Sequence, residues 1–217
     1  MTSTDGGARV LRPRKPPQGD LDTGPPPTAG DAALVAASLQ EPELFSLVYE
    51  RHANAMYRFA YRRLGPDLAQ DAVSDAILEA FRFRHRYDQE RADARPWLLG
   101  ILTHQISQHR RAERSRYRTL SRAAASADVQ DTHLDPVAGQ VTAQTVRAPL
   151  AAALRQLADR DRDVLLLVAW ADLSYQEVAH ALAIPVGTVR SRLNRARRML
   201  RQALPDLHLL LDDEESR

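Results

Sequence analysis

The chain has 217 residues, 44% apolar and 27% charged, which suits one large or two small globular domains. It has no cysteine, which excludes a disulfide framework, a thiol nucleophile and sulfur-ligated zinc. A formal net charge of +2 conceals a strong bias, for 29 of the 30 basic residues are Arg and only Lys15 is Lys.

Residues 1–40 hold six Pro and five Gly, a composition that favours disorder. They are read as a disordered extension, with a helix start at Asp31–Leu39. From Glu43 onward Leu44, Leu47, Val48, Ala55, Phe59 and Leu64 recur at the spacing of an amphipathic helix. Gly65-Pro66 ends that helix. Asp67 is a candidate cap for the next, whose stripe is Leu68, Val73, Ile77, Ala80 and Phe81. After a polar loop over 84–95, Pro96 suits the first position of a third helix. That helix carries Trp97, Leu98, Ile101, Leu102 and Ile106 into a cluster of Arg.

Residues 116–149 are rich in Ala, Ser, Thr, Asp and Gln and contain Pro136 and Pro149, which predicts a linker. Leu150, Leu154 and Leu157 then share one helical face. The run Val164-Leu165-Leu166-Leu167-Val168, flanked by helical periods, reads as a buried helix rather than a strand. Nothing alternates with a period of two, so the expected fold class is all-α. Two small helical domains, 41–115 and 150–204, are joined by the linker and followed by an acidic tail over 205–217. No apolar run approaches the roughly 18 residues of a membrane span, and no secretory stretch opens the chain. The expectation is a cytoplasmic protein without membrane insertion.

Charge is segregated along this plan. Gln105–Arg122 holds six Arg against Glu113, a local sum of +5, and Val186–Arg201 holds six Arg and no acid. Two such basic islands suit contacts with a polyanion. The second follows a helix-turn-helix pattern. Ser174 with Glu177 three residues later is a capping box, small Ala179 allows close helix crossing, and Pro185 separates the two helices. At about 100° per residue, Val189, Leu193, Ala196 and Leu200 form one buried stripe. Arg190, Ser191, Asn194, Arg195, Arg198 and Arg201 then face away from it, with Arg192 and Arg197 at its flanks. Arg can read guanine with two bonds and Asn can read adenine, so this helix suits the major groove of DNA.

The stretch Leu173-Ser174-Tyr175-Gln176-Glu177-Val178-Ala179, with Ile184-Pro185-Val186-Gly187-Thr188-Val189-Arg190-Ser191-Arg192, resembles the C-terminal DNA-binding domain of bacterial RNA polymerase sigma factors of the extracytoplasmic-function group. The first domain carries the resemblance too, through Asp67-Leu68-Ala69-Gln70-Asp71-Ala72-Val73-Ser74-Asp75-Ala76 and Arg95-Pro96-Trp97-Leu98-Leu99-Gly100-Ile101. The likeness spans about 160 residues in the family's order, judged by helical and motif spacing.

The resemblance implies a transcription initiation factor that binds RNA polymerase core through its clamp and flap regions, directs it to promoter DNA and helps to melt the minus-ten region. It assigns the minus-thirty-five element to Thr188, Arg190, Ser191, Arg192, Asn194, Arg195 and Arg198. It assigns the minus-ten element and the opened strand to Arg91, Arg95, Trp97, His104, Gln105, Gln108, His109, Arg110, Arg111 and Arg114, and the polymerase clamp to Gln70, Asp71, Ser74, Asp75 and Glu79. His104 stands where the family often has Asn. Members of the group are often held by an anti-sigma partner between the domains.

The alternative is a helix-turn-helix regulator that acts without polymerase. The wholly helical periods of the first domain speak against its being an α/β receiver. An enzyme is not expected. There is no His-Glu-x-x-His pattern and no Gly-rich phosphate loop, and no cofactor, metal or catalytic site is assigned.

Overall fold

The computed structural model describes residues 29–123 and 141–204. The helices are α1 (Asp31–Ala37), α2 (Phe45–Leu64), α3 (Pro66–Phe83), α4 (Arg95–Ala123), α5 (Val141–Gln156), α6 (Asp159–Ala169), α7 (Tyr175–Ala181) and α8 (Val186–Ala203), with short 3₁₀ turns at Pro42–Leu44 and Arg84–Arg86. No strand occurs among the described residues.

The first bundle is α1–α4. Phe45, Val48, Met56, Phe59 and Leu64 of α2 meet Leu98, Leu99, Leu102 and Ile106 of α4 in its core. α3 contributes Ala69, Ala72, Val73, Ala76 and Ala80, all buried. Small side chains on one stripe let α3 approach both neighbours closely. Phe45 and Phe81 meet edge to face, centroids 5.6 Å apart. Burying each large apolar side chain contributes roughly 1.5–3 kcal/mol against its exposed state.

Two expectations about this bundle are corrected. Asp67 does not cap α3. Gly65 serves both helices, ending α2 through its N–H to the Tyr61 carbonyl (2.8 Å) and preceding Pro66 at the first position of α3. Its φ of 78° is cheap only for glycine, and Pro66 has no N–H to satisfy. The 1–40 extension is also shorter than its composition suggests. α1 belongs to the bundle, with Leu34 and Val35 fully buried.

Buried Asp31 fixes the start of α1. It accepts from Arg51 (3.0 Å), His52 (2.6 Å) and the Ala94 N–H (3.0 Å). Burial alone would raise its carboxyl pKa. These three donors outweigh it and hold the group below the usual carboxylate range. Residues 1–28 lie outside the described residues.

The linker boundaries move as well. α4 continues to Ala123 and α5 begins at Val141 with Pro149 inside it, so the 116–149 interval is helical at both ends. Residues 124–140 and the 205–217 tail lie outside the described residues.

The second unit is α5–α8. Leu154 and Leu157 pack on Ala196, Leu200 and Leu204. Val164, Leu166 and Leu167 of α6 are buried, the helical outcome expected of that apolar run. The capping box forms: Ser174 Oγ accepts the Glu177 N–H at 3.3 Å, and Glu177 accepts the Ser174 N–H at 2.7 Å. α7 ends with Ala183 at φ 51°. The Ile184 N–H reaches the Ala179 carbonyl and the Ala183 N–H that of His180, a Schellman closure.

The two units touch. Gly100 of α4 lies so near the end of α7 that a Cβ there would overlap the Ala181 carbonyl oxygen. Arg63 of α2 donates to Asp163 of α6 at 2.5 Å, with side-chain exposures of 2% and 12%.

Candidate nucleic-acid interface

α8 is amphipathic in the manner its sequence requires. Val189, Leu193, Ala196 and Leu200 are all buried. That anchors the helix and turns Arg190, Ser191, Asn194, Arg195 and Arg198 outward, all exposed, with Thr188 and Arg192 half-buried. Ser191 Oγ donates to the Thr188 carbonyl at 3.0 Å. Arg195 departs from the group, since its Nη1 lies 3.2 Å from both carboxylate oxygens of Asp161, which is 3% exposed.

Asp161 belongs to a hub that local sequence pattern does not reveal, Asp159-Arg160-Asp161-Arg162-Asp163 at the start of α6. Successive helical residues point about 100° apart, so each acid finds a different element. Asp159 meets Arg114 of α4 at 3.7 Å and also Arg162, Asp161 meets Arg195 of α8, and Asp163 meets Arg63 of α2. The available signal is the alternation of sign over five residues. Its partners lie too far along the chain for local pattern to name.

The residues singled out on α4 divide between two faces. Gln105 donates to Glu79 of α3, and His109 lies 3.0 Å from Asp75 of α3. These two therefore face α3 and bond to acids placed in the polymerase-facing set, not in a common row with the others. Arg110 donates to the Arg63 carbonyl at 3.3 Å. On the other face His104 and Gln108 are exposed and 2.8 Å apart, and Arg111 follows them, exposed. Gln70, Asp71, Ser74 and Asp75 of α3 are exposed and Glu79 is half-buried. An open apolar groove formed by Phe45, Tyr49, Ile77, Leu78 and Phe81 adjoins Ser74.

Before α4, Trp97 packs on Tyr87, ring centroids 5.1 Å apart. The Tyr87 hydroxyl donates to the Arg91 carbonyl at 2.6 Å. Burial, then the charges of Asp31, Asp93 and Asp88, push its pKa up to about 12, so it remains a neutral donor. Arg91 pairs with Asp88 at 3.1 Å. His180 of α7 stands near this loop. Burial and then Arg91 hold its imidazole below the usual range, with Asp88 acting in the opposite sense.

Arg95 donates to the Ala171 carbonyl. With Arg58, Arg62, Leu99 and Trp170 it lines a cavity of about 270 Å³ between the units, which no carboxylate lines. Ligand atoms of Asp31, His52 and Asp93 come within 4.8 Å of one another. Arg51 and the Ala94 N–H already occupy the Asp31 oxygens, an ionic clasp rather than a cation cage.

Comparison with known proteins agrees on both units. The family model described as Sigma-70 region 2 matches residues 48–116, and Sigma-70, region 4 matches residues 147–200. The ECF RNA polymerase sigma factor SigL of Mycobacterium tuberculosis is 30% identical over 177 residues, covering 81% of this chain and 97% of its own. The RNA polymerase sigma factor HrpL of Pseudomonas syringae pv. syringae is 31% identical over 196 residues, covering 90% and 93%. Among solved structures, CnrH in complex with the cytosolic domain of CnrY superposes with a TM-score of 0.55 at 25% identity, over 82% of this chain and 98% of that one.

Proposed function

The chain belongs to the extracytoplasmic-function group of the sigma-70 family of RNA polymerase sigma factors, and from that premise we propose how its two units divide promoter recognition. Region 4 reads the minus-thirty-five element in the major groove through α8, using Arg190, Ser191, Asn194 and Arg198, with Thr188, Arg192 and Arg195 at the phosphates. The observation that carries this is a helix face of guanidinium, amide and hydroxyl groups without a carboxylate, held rigid by four buried residues. Bidentate Arg–guanine and Asn–adenine pairs each discriminate by roughly 1–3 kcal/mol. Phosphate contacts fix the register.

Region 2 takes the minus-ten element. The exposed row of His104, Gln108 and Arg111, with Arg91, Arg95 and Arg114 at its ends, suits a strand whose bases are drawn out of the stack. Such extrusion costs a few kcal/mol, and Trp97 offers an aromatic surface that receives a base. Gln105, His109 and Arg110 support that row from the α3 and α2 sides. Exposed Gln70, Asp71, Ser74 and Asp75 with Glu79, beside the apolar groove, suit a protein partner, the polymerase clamp, while region 4 meets the flap. An anti-sigma factor, which the sigma resemblance implies, is a further expected partner; the similar CnrH is solved bound to a second protein, the cytosolic domain of CnrY. No described helix is long and apolar enough to cross a membrane. Action beside polymerase puts the protein in the cytoplasm, as a specificity subunit rather than a catalyst.

The test is co-purification of the full chain with RNA polymerase core, followed by transcription from a promoter library. Stoichiometric association and initiation at one shared two-element motif are expected. DNA binding without core association would leave a helix-turn-helix regulator instead.

A further inference from the structure

We propose that the apolar groove between α2 and α3 is the docking site of this chain's own residues 9–17, which cover part of the polymerase-facing surface until core displaces them. The displacement rests on the clamp reading above. The docking itself does not.

The groove has the chemistry of a peptide site. It measures about 440 Å³ and is open to solvent. Its floor is Phe45, 3% exposed, which meets Phe81 edge to face. Tyr49 of α2 and Leu78 of α3 stand on the two walls, 37% and 47% exposed. Neighbouring large side chains left in water mark a surface that another segment covers. An aromatic wall with a hydroxyl at its rim suits a backbone whose carbonyls are free to accept.

The sequence supplies such a backbone. Residues 9–17 are Arg9-Val10-Leu11-Arg12-Pro13-Arg14-Lys15-Pro16-Pro17. Pro13 and Pro16 hold the Pro-x-x-Pro spacing, which puts both rings on one side of a three-residue turn without internal hydrogen bonds. Aromatic-lined grooves take that spacing at little ordering cost.

Charge and reach agree. Arg9, Arg12, Arg14 and Lys15 are met by no acid between Gly6 and Gly19. Glu43 lines the groove. Exposed Asp71 and Asp75 lie one helical turn before Ser74 and Leu78 on the same side of α3. Arg82, one turn after Leu78, is the basic group at the other end. Such charges orient an encounter, and the apolar floor supplies the grip. Ala29 is held beside the groove, its carbonyl 2.6 Å from Arg51 Nη1. Arg51 lies about 9 Å along α2 from Phe45. The residues from Pro17 to Ala29 can span up to about 40 Å, so docking asks nothing of the bundle. Once seated against Ser74 and Leu78, the segment lies over the face that Asp71 and Asp75 offer to the clamp.

Lys15 is the chain's single lysine, which makes it a reporter. A carbodiimide joins its amine to a carboxylate as an amide, taking up the water released. In full-length protein without polymerase, mass spectrometry is expected to find Lys15 joined to Glu43, Asp71 and Asp75. Those links should fall several-fold in Tyr49→Ala and in Pro13→Ala combined with Pro16→Ala, with the helical circular-dichroism signal retained. Polymerase core should suppress them in the parent. The double proline variant should bind core about tenfold more tightly if the docked form outweighs the free one by about ten to one.

Links scattered over acids of both units, links indifferent to both variants, or core affinity unchanged when the links are lost would each overturn the proposal. In a mixture of ¹⁵N-labelled and unlabelled protein, linked pairs of mixed label would give the groove to a second copy instead. Duplex DNA that protects Lys15 where core does not would give the segment to nucleic acid. A failure of every form to associate with core would overturn the sigma reading, leaving the links to decide the docking alone.

Discussion

α8 and α4 are both arginine-rich helices, yet they hold their polar side chains differently. On α8 a single buried stripe carries the fold, and Arg195 alone of the outward groups is engaged by a carboxylate among the described residues. On α4 much of the polar equipment is already engaged: Gln105 with Glu79, His109 with Asp75, Arg114 with Asp159, Arg95 with Ala171. A helix that reads intact duplex works as a preformed plug. A helix that captures separated strands can begin with its groups paired elsewhere and exchange them as DNA arrives.

The largest expected effect separates the two helices outright. Leu193 is 1% exposed at the centre of the α8 stripe. Leu193→Ala should cost about 2–5 kcal/mol, read as a lower urea midpoint, and should abolish duplex binding while single-strand binding through α4 persists. Loss of both activities together would mean that the helices do not work independently.

Next comes chemistry on an unchanged fold. Arg198→Ala should weaken a minus-thirty-five duplex by about 1–3 kcal/mol if it reads a base, relaxing preference at one position, or flatten the salt dependence uniformly if it reads phosphate. Fluorescence anisotropy across a substituted duplex series distinguishes these. His104→Ala, by contrast, should leave duplex affinity intact and slow open-complex formation, measured with a fluorescent base in the minus-ten region.

Smaller still is the helix start that supports both surfaces. Ser174→Ala removes one half of the capping box and should cost about 1 kcal/mol. Glu177 is held below the usual glutamate range first by its hydrogen bond with Ser174, against the opposing effect of burial. A depressed carboxyl stabilises above its unfolded pKa, and that contribution is lost as pH falls through the folded one. The gap between parent and Ser174→Ala in urea midpoint should therefore shrink in acid.

The least effect is expected from His180. Its folded pKa is depressed by burial and Arg91, so the folded state resists protonation. Stability is full above the ordinary histidine range and declines as pH falls through it. His180→Gln should flatten the stability profile between about pH 7 and about pH 5. An unchanged slope would place the charge sensitivity elsewhere in the α4–α7 contact.

The features legible in the sequence are those that repeat locally. The α8 stripe, the Ser174–Glu177 box and the apolar run of α6 each declare themselves within about one or two helical turns. The features that escape it share an opposite character. The helix start at Asp31 is legible, but the part α1 plays in the bundle is not, because Asp31 finds its partners in distant Arg51, His52 and Ala94. Asp67 yields the capping position because Gly65 can adopt a backbone angle closed to most other residues. Gln105 and His109 group with His104 by proximity in sequence, although one helical step turns a side chain toward α3. The Asp159–Asp163 hub is invisible locally because its partners lie on three other helices.

The pair Arg63–Asp163 spans 100 residues of sequence, and that separation is also an interval of time. At about 5–20 residues per second of synthesis, the codon for Asp163 is translated roughly 5–20 s after that for Arg63. For that interval the newborn first bundle carries Arg63 and Gly100 with nothing yet made to lie against them. A nascent chain thus passes through a stage in which Arg63 and Gly100 meet solvent before they meet α6 and α7.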